Sequence, residues 1–256
     1  MTKHMLSVLA LCTVACATQK AAEQPKTVSP SEFQALVADP ARTDADRTLD
    51  PQRKPAEMLA FFQVAPGQKV AELGAGSGYT TELLARAVGP TGVVYSQNPD
   101  AFSRFAGKAL TERLARPGLQ HVVTVERELD NPLPPAARDL DLVVSHAIYH
   151  DTVWLQADRD RMNAAVFAAL KPGGAYVVID SSAKSGTGSA DAATLHRIDE
   201  DFVIAEVQKA GFTLQTRGDF LRNPADDRTW DASPRAAAER RGTSDRFALR
   251  FVKPQQ

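Results

Sequence analysis

The sequence has little cysteine and no excess of charge of either sign. Its two cysteines, Cys12 and Cys16, lie close to the N-terminus. The rest of the chain therefore has neither a disulfide nor a thiol nucleophile. The 30 Lys and Arg residues against 31 Asp and Glu leave a formal net charge of −1, without the basic excess that binding to a phosphate backbone requires. We therefore expect no nucleic-acid partner.

A long hydrophobic run is also lacking beyond the N-terminus. The apolar run from Met5 to Ala15 follows a basic start and is shorter than the roughly 20 residues of a membrane-spanning helix, which is typical of a secretory signal. TVAC at 13–16 resembles a bacterial lipobox, in which Cys16 is lipidated, with ordinary cleavage as the alternative. We predict a signal peptide at 1–16, a flexible tether at 17–30 and an exported, periplasmic protein whose sole membrane contact is a lipid anchor on Cys16.

No internal repeat or Pro/Gly-rich linker divides the remaining chain, so we predict one domain at 31–256. Helix-length stretches separate five short β-branched runs, which indicates parallel crossovers. Two further runs follow a predicted long helix at 192–210, and the last can pair antiparallel. The predicted fold is α/β, a Rossmann-like doubly wound seven-stranded sheet with an antiparallel last strand and helices on both faces. The predicted strands are 69–73, 92–97, 121–126, 140–145, 175–180, 212–218 and 246–252.

Two other segments flank the predicted sheet. Residues 31–66 precede the first strand and are predicted to form an N-terminal helical cap. Residues 219–245 join the last two strands, and a connection of that length suggests a functional lid insertion. This connection is rich in arginine, so we interpret it as a lid over an acidic acceptor, with a solvated charged loop as the alternative.

The most informative motif lies at the end of the first predicted strand. Glu72 is followed by Gly74, Gly76 and Gly78 and then by a helical pattern. Glycines allow close backbone approach, and the N-terminus of the following helix attracts polar ligand groups. In the dinucleotide pattern Gly-x-Gly-x-x-Gly the third glycine comes one residue later. Glu72 would also disfavour a pyrophosphate and suit an ammonium and hydroxyls.

The pattern Glu-x-Gly-x-Gly-x-Gly resembles motif I of the class I S-adenosylmethionine-dependent methyltransferases, and the resemblance extends over about 69–254. LKPGGAYVVID at 170–180 is similar to the turn into the fifth strand of that family. Other phrases, including HDTVW and RRGTSDRF, resemble a group of predicted exported bacterial methyltransferases. The resemblance implies S-adenosyl-L-methionine as cofactor and methylation of nitrogen or oxygen on a small-molecule acceptor.

The resemblance also implies which residues bind the cofactor. At the end of the second strand the family usually has an acid that binds the ribose hydroxyls, where this sequence has the amides of Gln97 and Asn98. After the third strand, Glu128 is the predicted partner of the adenine amine, with Asp130 as the alternative. The full predicted set is Glu72, Gly74, Gly76, Gly78, Gln97, Asn98, Glu128, Ser145 and His146.

A nitrogen or oxygen acceptor has to lose a proton, and a base with a pKa near neutrality suits that task. His150 with Asp151 is the predicted base, and Tyr149 is predicted to orient the substrate. Alternatively, His150 and Asp151 cap the next helix and His146 packs against the cofactor. A divalent metal on His150, Asp151 and Asp180 lacks the close spacing of a dedicated site, so we predict no metal.

Two other functional classes stay open at this point. A non-catalytic protein that binds S-adenosylmethionine or a nucleoside is favoured by export, because this cofactor is made in the cytosol, and by the missing ribose acid. A nicotinamide-dependent oxidoreductase is disfavoured by the glycine spacing at 74–78.

Overall fold

The structure is a computed structural model that describes residues 28–236 and 238–255. The predicted signal peptide and nearly all of the predicted tether lie outside the described residues. Within the described part of the chain, no helix has the length and apolar character needed to cross a membrane.

A seven-stranded sheet forms the centre of the fold, with strand order β3-β2-β1-β4-β5-β7-β6. β1 pairs in parallel with β2 and β4, and β7 runs antiparallel to both of its neighbours, β5 and β6. The predicted fold class is therefore confirmed. The strands are β1 (Lys69–Leu73), β2 (Val93–Asn98), β3 (Val122–Glu126), β4 (Leu140–His146), β5 (Leu170–Ser181), β6 (Thr213–Gly218) and β7 (Arg246–Val252).

Helices cover both faces of this sheet. A 3₁₀ helix at Pro30–Phe33 and four short α-helices occupy the region predicted as a cap. Pro55 begins the last of them, α4, where its fixed φ suits the first helical turn. The α-helices are α1 (Gln34–Val37), α2 (Asp44–Arg47), α3 (Asp50–Arg53), α4 (Pro55–Phe62), α5 (Tyr79–Val88), α6 (Asp100–Leu114), α7 (Asp151–Trp154), α8 (Arg159–Ala169), α9 (Ala192–Leu195) and α10 (Glu200–Lys209).

The sheet separates two hydrophobic cores. Val70, Val144 and Ala248 belong to the core beneath α4 and α5. Val143 and Tyr176 belong to the opposite core, beneath α8 and α10. Side chains alternate along a strand. Glu72, His146 and Arg246 therefore fall on the α4 and α5 face, and Ser145 and Asp180 fall on the other.

Buried ion pairs attach the cap to the helices of the sheet. Arg113 of α6 donates to Asp46 of α2 at 2.7 Å and to Glu82 of α5 at 2.6 Å. All three side chains are almost fully buried. Breaking one partner of such a pair leaves an uncompensated charge, which costs about 3–5 kcal/mol. The cap is therefore fixed to the rest of the fold.

The predicted long helix at 192–210 is wrong, because the chain forms two helices there. His196 adopts a left-handed φ of 51°, and Ile198 forms an isolated bridge with Ser182. Asp199 then caps α10 by accepting a hydrogen bond from the amide of Asp201 at 3.0 Å. Arg197, at the break, is completely buried against Asp226, and the backbone of Ile198 bonds to Ser181 and Ala183 in place of helical partners.

The connection at 219–245 has no helix or strand among its described residues, yet ion pairs hold it in place. The carboxylate of Asp226 accepts from the guanidinium of Arg197 at 2.8 Å. Arg228 donates to Asp245 at 2.7 Å, and Arg222 pairs with Glu200. Arg222 and Arg228 therefore pair with acidic residues of the same chain. The predicted lid would instead use its arginines to contact an acidic acceptor.

Candidate functional site

The glycine loop at 74–78 follows β1 at the carboxyl end of the parallel strands. Gly74, Gly76 and Gly78 have φ values of 61°, 56° and 84°, a region that other residues rarely adopt. A Cβ on Gly74 would lie 2.4 Å from Ile148, and one on Gly78 would lie 2.6 Å from Leu110. A Cβ on Gly76 would meet nothing within 4 Å. Two glycines thus serve internal packing, and Gly76 leaves open space above the loop.

The side chains of Gln97 and Asn98 hold this loop in shape. Gln97 Oε1 accepts from the amide of Gly74 at 2.9 Å, and its amide group donates to the carbonyl of Arg127 at 2.6 Å. Asn98 Oδ1 accepts from the amide of Gly76 at 2.8 Å and Nδ2 donates back to its carbonyl at 3.0 Å. Both residues are buried. Their observed role is to position the loop, and contact with a ribose stays a prediction.

Glu72 ends β1 with its carboxylate buried on the α4 and α5 face. Its Oε2 accepts a hydrogen bond from the hydroxyl of Thr81, at the start of α5. Burial raises the pKa of Glu72 to about 7, although hydrogen bonds from Thr81 and Thr80 and the charge of Arg53 oppose that rise. Near neutral pH the protonated and ionised forms of the carboxyl group are therefore present in similar amounts, so the group can carry or release a proton.

His146 lies at the end of β4, next to the start of α5. Its Nδ1 is 3.0 Å from the hydroxyl of Thr80. Burial lowers the pKa of His146 well below 6.5, and the positive charges of Arg53 and Arg246 lower it further. The imidazole is therefore neutral at physiological pH, which is the state that a general base requires.

His150 has the opposite protonation state. Its Nδ1 lies 2.7 Å from Asp180 and its Nε2 lies 3.1 Å from Asp151. Burial opposes charge on the ring, but the two carboxylates outweigh burial and raise the pKa of His150 to about 10. The imidazole is thus charged at neutral pH, and both nitrogens are engaged. The role of His150 with Asp151 as the acceptor base stays a prediction, and the structure shows both ring nitrogens of His150 facing carboxylates. The proposed capping of the next helix is not seen, since α7 has no side-chain cap.

Tyr149 does not face a substrate site, which contradicts its predicted role. The residue is completely buried in the core beneath α8 and α10. Its hydroxyl donates to Glu206 at 3.0 Å and accepts from Asn163 at 2.8 Å. Ile148, directly before it, covers Gly74, so the chain after β4 turns into the core at this point. The positive φ of 58° at Ala147 produces that turn.

The remaining predicted cofactor residues lie at the edges of the loop. Glu128 is exposed, and its Oε1 accepts from the amide of Asp100 at 3.2 Å, at the start of α6. With Asp130 and three neighbouring residues it lines a surface cavity of about 210 Å³. Ser145 is buried within β4. Contacts of Glu128 and Ser145 with a cofactor stay predictions.

Sequence reasoning missed Thr80, Arg53 and Arg246 as site residues. Thr80 lies in α5, the helix after β1, Arg53 is the last residue of α3 in the cap, and Arg246 is the first residue of β7. Only the cap and the reversal of β7 bring the two arginines to His146, so no local motif marks them. No group of three or more His, Cys, Asp or Glu side chains suited to a metal occurs within 28–236 and 238–255.

The strand order with a reversed β7, and the glycine loop after β1, define the class of the fold. It is the Rossmann-like fold of the S-adenosylmethionine-dependent methyltransferases. A methyltransferase of this type from Aquifex aeolicus superposes with a TM-score of 0.56 at 16% identity over 88% of this chain and 99% of that one. An O-methyltransferase from Thermotoga maritima gives a TM-score of 0.52 at 17% identity over 80% of this chain and 66% of that one.

Sequence comparison agrees with that class. Residues 20–126 match the profile of the protein-L-isoaspartate(D-aspartate) O-methyltransferase family. A protein-L-isoaspartate O-methyltransferase from Ignicoccus hospitalis is 30% identical over 139 residues, which is 54% of this chain and 59% of that protein. An arsenite methyltransferase from Halobacterium salinarum is 28% identical over 123 residues, which is 47% of this chain and 29% of that protein. The chain thus spans less than two thirds of these relatives. Together the matches support an S-adenosylmethionine-dependent methyltransferase.

The residues of the site fit that cofactor. The space above Gly76 admits a ligand close to the backbone, and the loop opens onto the N-terminus of α5. Glu72, with a pKa of about 7, adds a carboxyl group rather than the fixed positive charge that a pyrophosphate would favour. We assign the loop, Glu72 and the neighbouring β2 edge as the part of the chain that would hold the cofactor.

Proposed function

We propose that this protein transfers a methyl group from S-adenosylmethionine to an oxygen or nitrogen atom of a small-molecule acceptor. The observation that carries the proposal is a braced glycine loop, open above Gly76, at the same sheet edge as the neutral His146. When bound, the cofactor supplies an electrophilic methyl group on sulfur. The name of one sequence relative, the protein-L-isoaspartate O-methyltransferase from Ignicoccus hospitalis, favours oxygen as the accepting atom.

His146 is the residue we assign as the acceptor base. The hydroxyl of Thr80 lies 3.0 Å from His146 Nδ1, and the same hydroxyl lowers the pKa of the nearby Glu72 carboxyl group. If Thr80 donates to the carboxylate, it accepts from Nδ1–H, and this tautomer leaves the lone pair on Nε2. The chain Glu72–Thr80–His146 would thus orient the ring and stabilise the positive charge that it gains. Such proton transfer contributes about 10²–10⁴-fold in rate.

Binding to the glycine loop is tested by calorimetry on the full chain with S-adenosylhomocysteine and with NAD. We expect binding of the first and none of the second. Gly76→Ala should weaken binding at least tenfold, because its methyl group enters the open space. Gly118→Ala is the matched control, since Gly118 also has a positive φ, of 84°, and no atom within 4 Å of a Cβ. Binding of NAD alone would overturn the proposal in favour of an oxidoreductase.

Catalysis is tested by transfer of a labelled methyl group to fractions of a cell extract. We expect transfer by the unaltered chain and a loss of at least 100-fold in His146→Gln, with unchanged affinity for S-adenosylhomocysteine. A non-catalytic binding protein is the second candidate, favoured by the amides of Gln97 and Asn98, which are occupied by the loop itself. Tight binding without methyl transfer to any extract fraction would favour that candidate over the enzyme.

We also propose that the protein is exported and anchored in the periplasm through a lipid on Cys16. Support comes from the short apolar run and the TVAC sequence that follows it. Mass spectrometry of the mature N-terminus tests this proposal. A diacylated Cys16 is the expected result, whereas an unmodified N-terminus at Thr18 would contradict the lipid anchor and one at Met1 would contradict export as well.

A further inference from the structure

Two arginines near the site, Arg53 and Arg246, make no direct ion pair, although the charges of Glu72 and Asp46 act on Arg53 and those of Asp180 and Asp245 act on Arg246. Among the residues that the structure describes, neither Arg53 nor Arg246 has a carboxylate within ion-pair distance. Arg53 makes its defined contact with the ring of Tyr79, 4.3 Å from the centroid. Arg246 donates to the carbonyl of Gln52, and its Nε is buried without a hydrogen-bond partner.

The three arginines that are buried in the described part of the chain are all paired. Arg42 binds Asp50 at 2.7 Å, Arg113 binds Asp46 at 2.7 Å, and Arg197 binds Asp226 at 2.8 Å. A guanidinium withdrawn from water without a counter-charge is unfavourable. Arg53, Arg246 and Arg250 are half-buried and make no ion pair with a described residue, and of these three Arg53 and Arg246 lie at the edge of the site.

Both unpaired arginines lie around His146. Their charges act together on this ring and lower its pKa. Arg246 also contacts the backbone of Gln52, the residue directly before Arg53 in α3. The two arginines are far apart in sequence and come close together in the fold. Burial lowers the pKa of Arg246 to about 10, and the charge of Arg53 lowers it further, whereas the charges of Asp180 and Asp245 oppose that fall.

We propose that Arg53 and Arg246 form a carboxylate-binding subsite beside His146. The proposal rests on the proposed function, which places methyl transfer at this sheet edge. A planar carboxylate can accept paired hydrogen bonds from guanidinium groups, and it would supply the missing negative charge. Two sources offer that group here, the amino-acid end of the cofactor and an acid group of the acceptor, and both present the same chemistry to the arginines.

The first experiment separates these sources by calorimetry on the full chain. S-adenosylhomocysteine carries the amino-acid carboxylate, whereas 5′-methylthioadenosine keeps the nucleoside and the thioether without it. If the arginines hold the cofactor carboxylate, Arg53→Gln and Arg246→Gln each weaken S-adenosylhomocysteine binding 10- to 100-fold. The same variants leave 5′-methylthioadenosine binding within twofold.

The second experiment tests an acceptor carboxylate by titrating acetate and succinate into the chain saturated with S-adenosylhomocysteine. Saturable binding that disappears in both variants supports the subsite with the acceptor as its source. Arg250→Gln is the matched control. Arg250 lies on the same face of β7, opposite Val177, and its Nε is also buried without a partner, but it is four residues further from the site. Circular dichroism and the melting temperature verify the fold of each variant.

The proposal is overturned if Arg53→Gln and Arg246→Gln alter neither S-adenosylhomocysteine nor carboxylate binding, or if Arg250→Gln has the same effect as they do. Failure of the proposed function is a different result, in which the unaltered chain binds neither S-adenosylhomocysteine nor 5′-methylthioadenosine. In that case acetate and succinate are titrated into the free chain. Binding that depends on Arg53 and Arg246 still supports the subsite, and its absence overturns it.

Discussion

The charged state of His150 makes the stability of this protein depend on pH in a defined direction. The ring lies between Asp180 at 2.7 Å and Asp151 at 3.1 Å, and its pKa rises to about 10. Because the pKa is higher in the folded state than the ordinary value of 6.5, the contribution to stability is complete below pH 6.5. It is lost as the pH rises through the folded pKa.

The size of this contribution follows from the shift. At 1.36 kcal/mol per pKa unit, a rise to about 10 corresponds to an upper limit of about 5 kcal/mol. Between pH 6.5 and 9.5 the unaltered chain should therefore lose up to about 4 kcal/mol of unfolding free energy through this ring. His150→Gln keeps a hydrogen-bond donor but carries no charge, so this part of the pH dependence should disappear in the variant.

Urea unfolding followed by tryptophan fluorescence at several pH values measures the difference. His121→Gln is the control, because His121 contacts the carbonyl of Ala85 at 2.9 Å and is remote from Asp180 in the sheet. An NMR titration of the His150 ring gives the pKa directly. A midpoint near 6.5, or equal pH dependence in the chain with and without His150, would refute the reasoning.

Three further changes test other parts of the structure. Ala147→Gly should raise the unfolding free energy by about 1 kcal/mol, because Ala147 has a φ of 58° that glycine adopts without strain; a lower urea midpoint would contradict this. Arg197→Met leaves Asp226 buried and unpaired and should cost about 3–5 kcal/mol, with faster proteolysis within 219–245; an unchanged cleavage pattern would argue against that anchoring. Gln97→Ala removes the acceptor for the Gly74 amide and should cost about 1–3 kcal/mol; equal stability and equal affinity for S-adenosylhomocysteine would show that the brace is dispensable.

Most of the sheet was predictable because hydrophobic periodicity is a local signal. The runs at 69–73 and 246–252 coincide with β1 and β7, and the helical pattern after Gly78 coincides with α5. The long helix at 192–210 was predicted wrongly for a tertiary reason. Helical propensity at Arg197 is overridden by its buried contact with Asp226, which is 29 residues away in sequence.

The candidate site was predictable where it depends on backbone shape, and was missed where it depends on partners. Glycines at alternate positions marked the loop at 74–78 correctly. His150 next to Asp151 suggested a base, but a second carboxylate, Asp180, comes from β5 and reverses the protonation state that a base needs. His146 has no carboxylate partner among the described residues. Its neutrality follows from burial and from two arginines that are distant in sequence.

The separation of the two histidines by the sheet has a consequence for how this protein can diversify. His150 and its carboxylates lie on the α8 and α10 side, where changes endanger folding. His146, Arg53 and Arg246 lie on the side of the cap, which short helical segments build. Selection for a new substrate can therefore act on the exposed positions of those segments, while the buried ion pairs of the cap and the opposite half of the sheet conserve the fold.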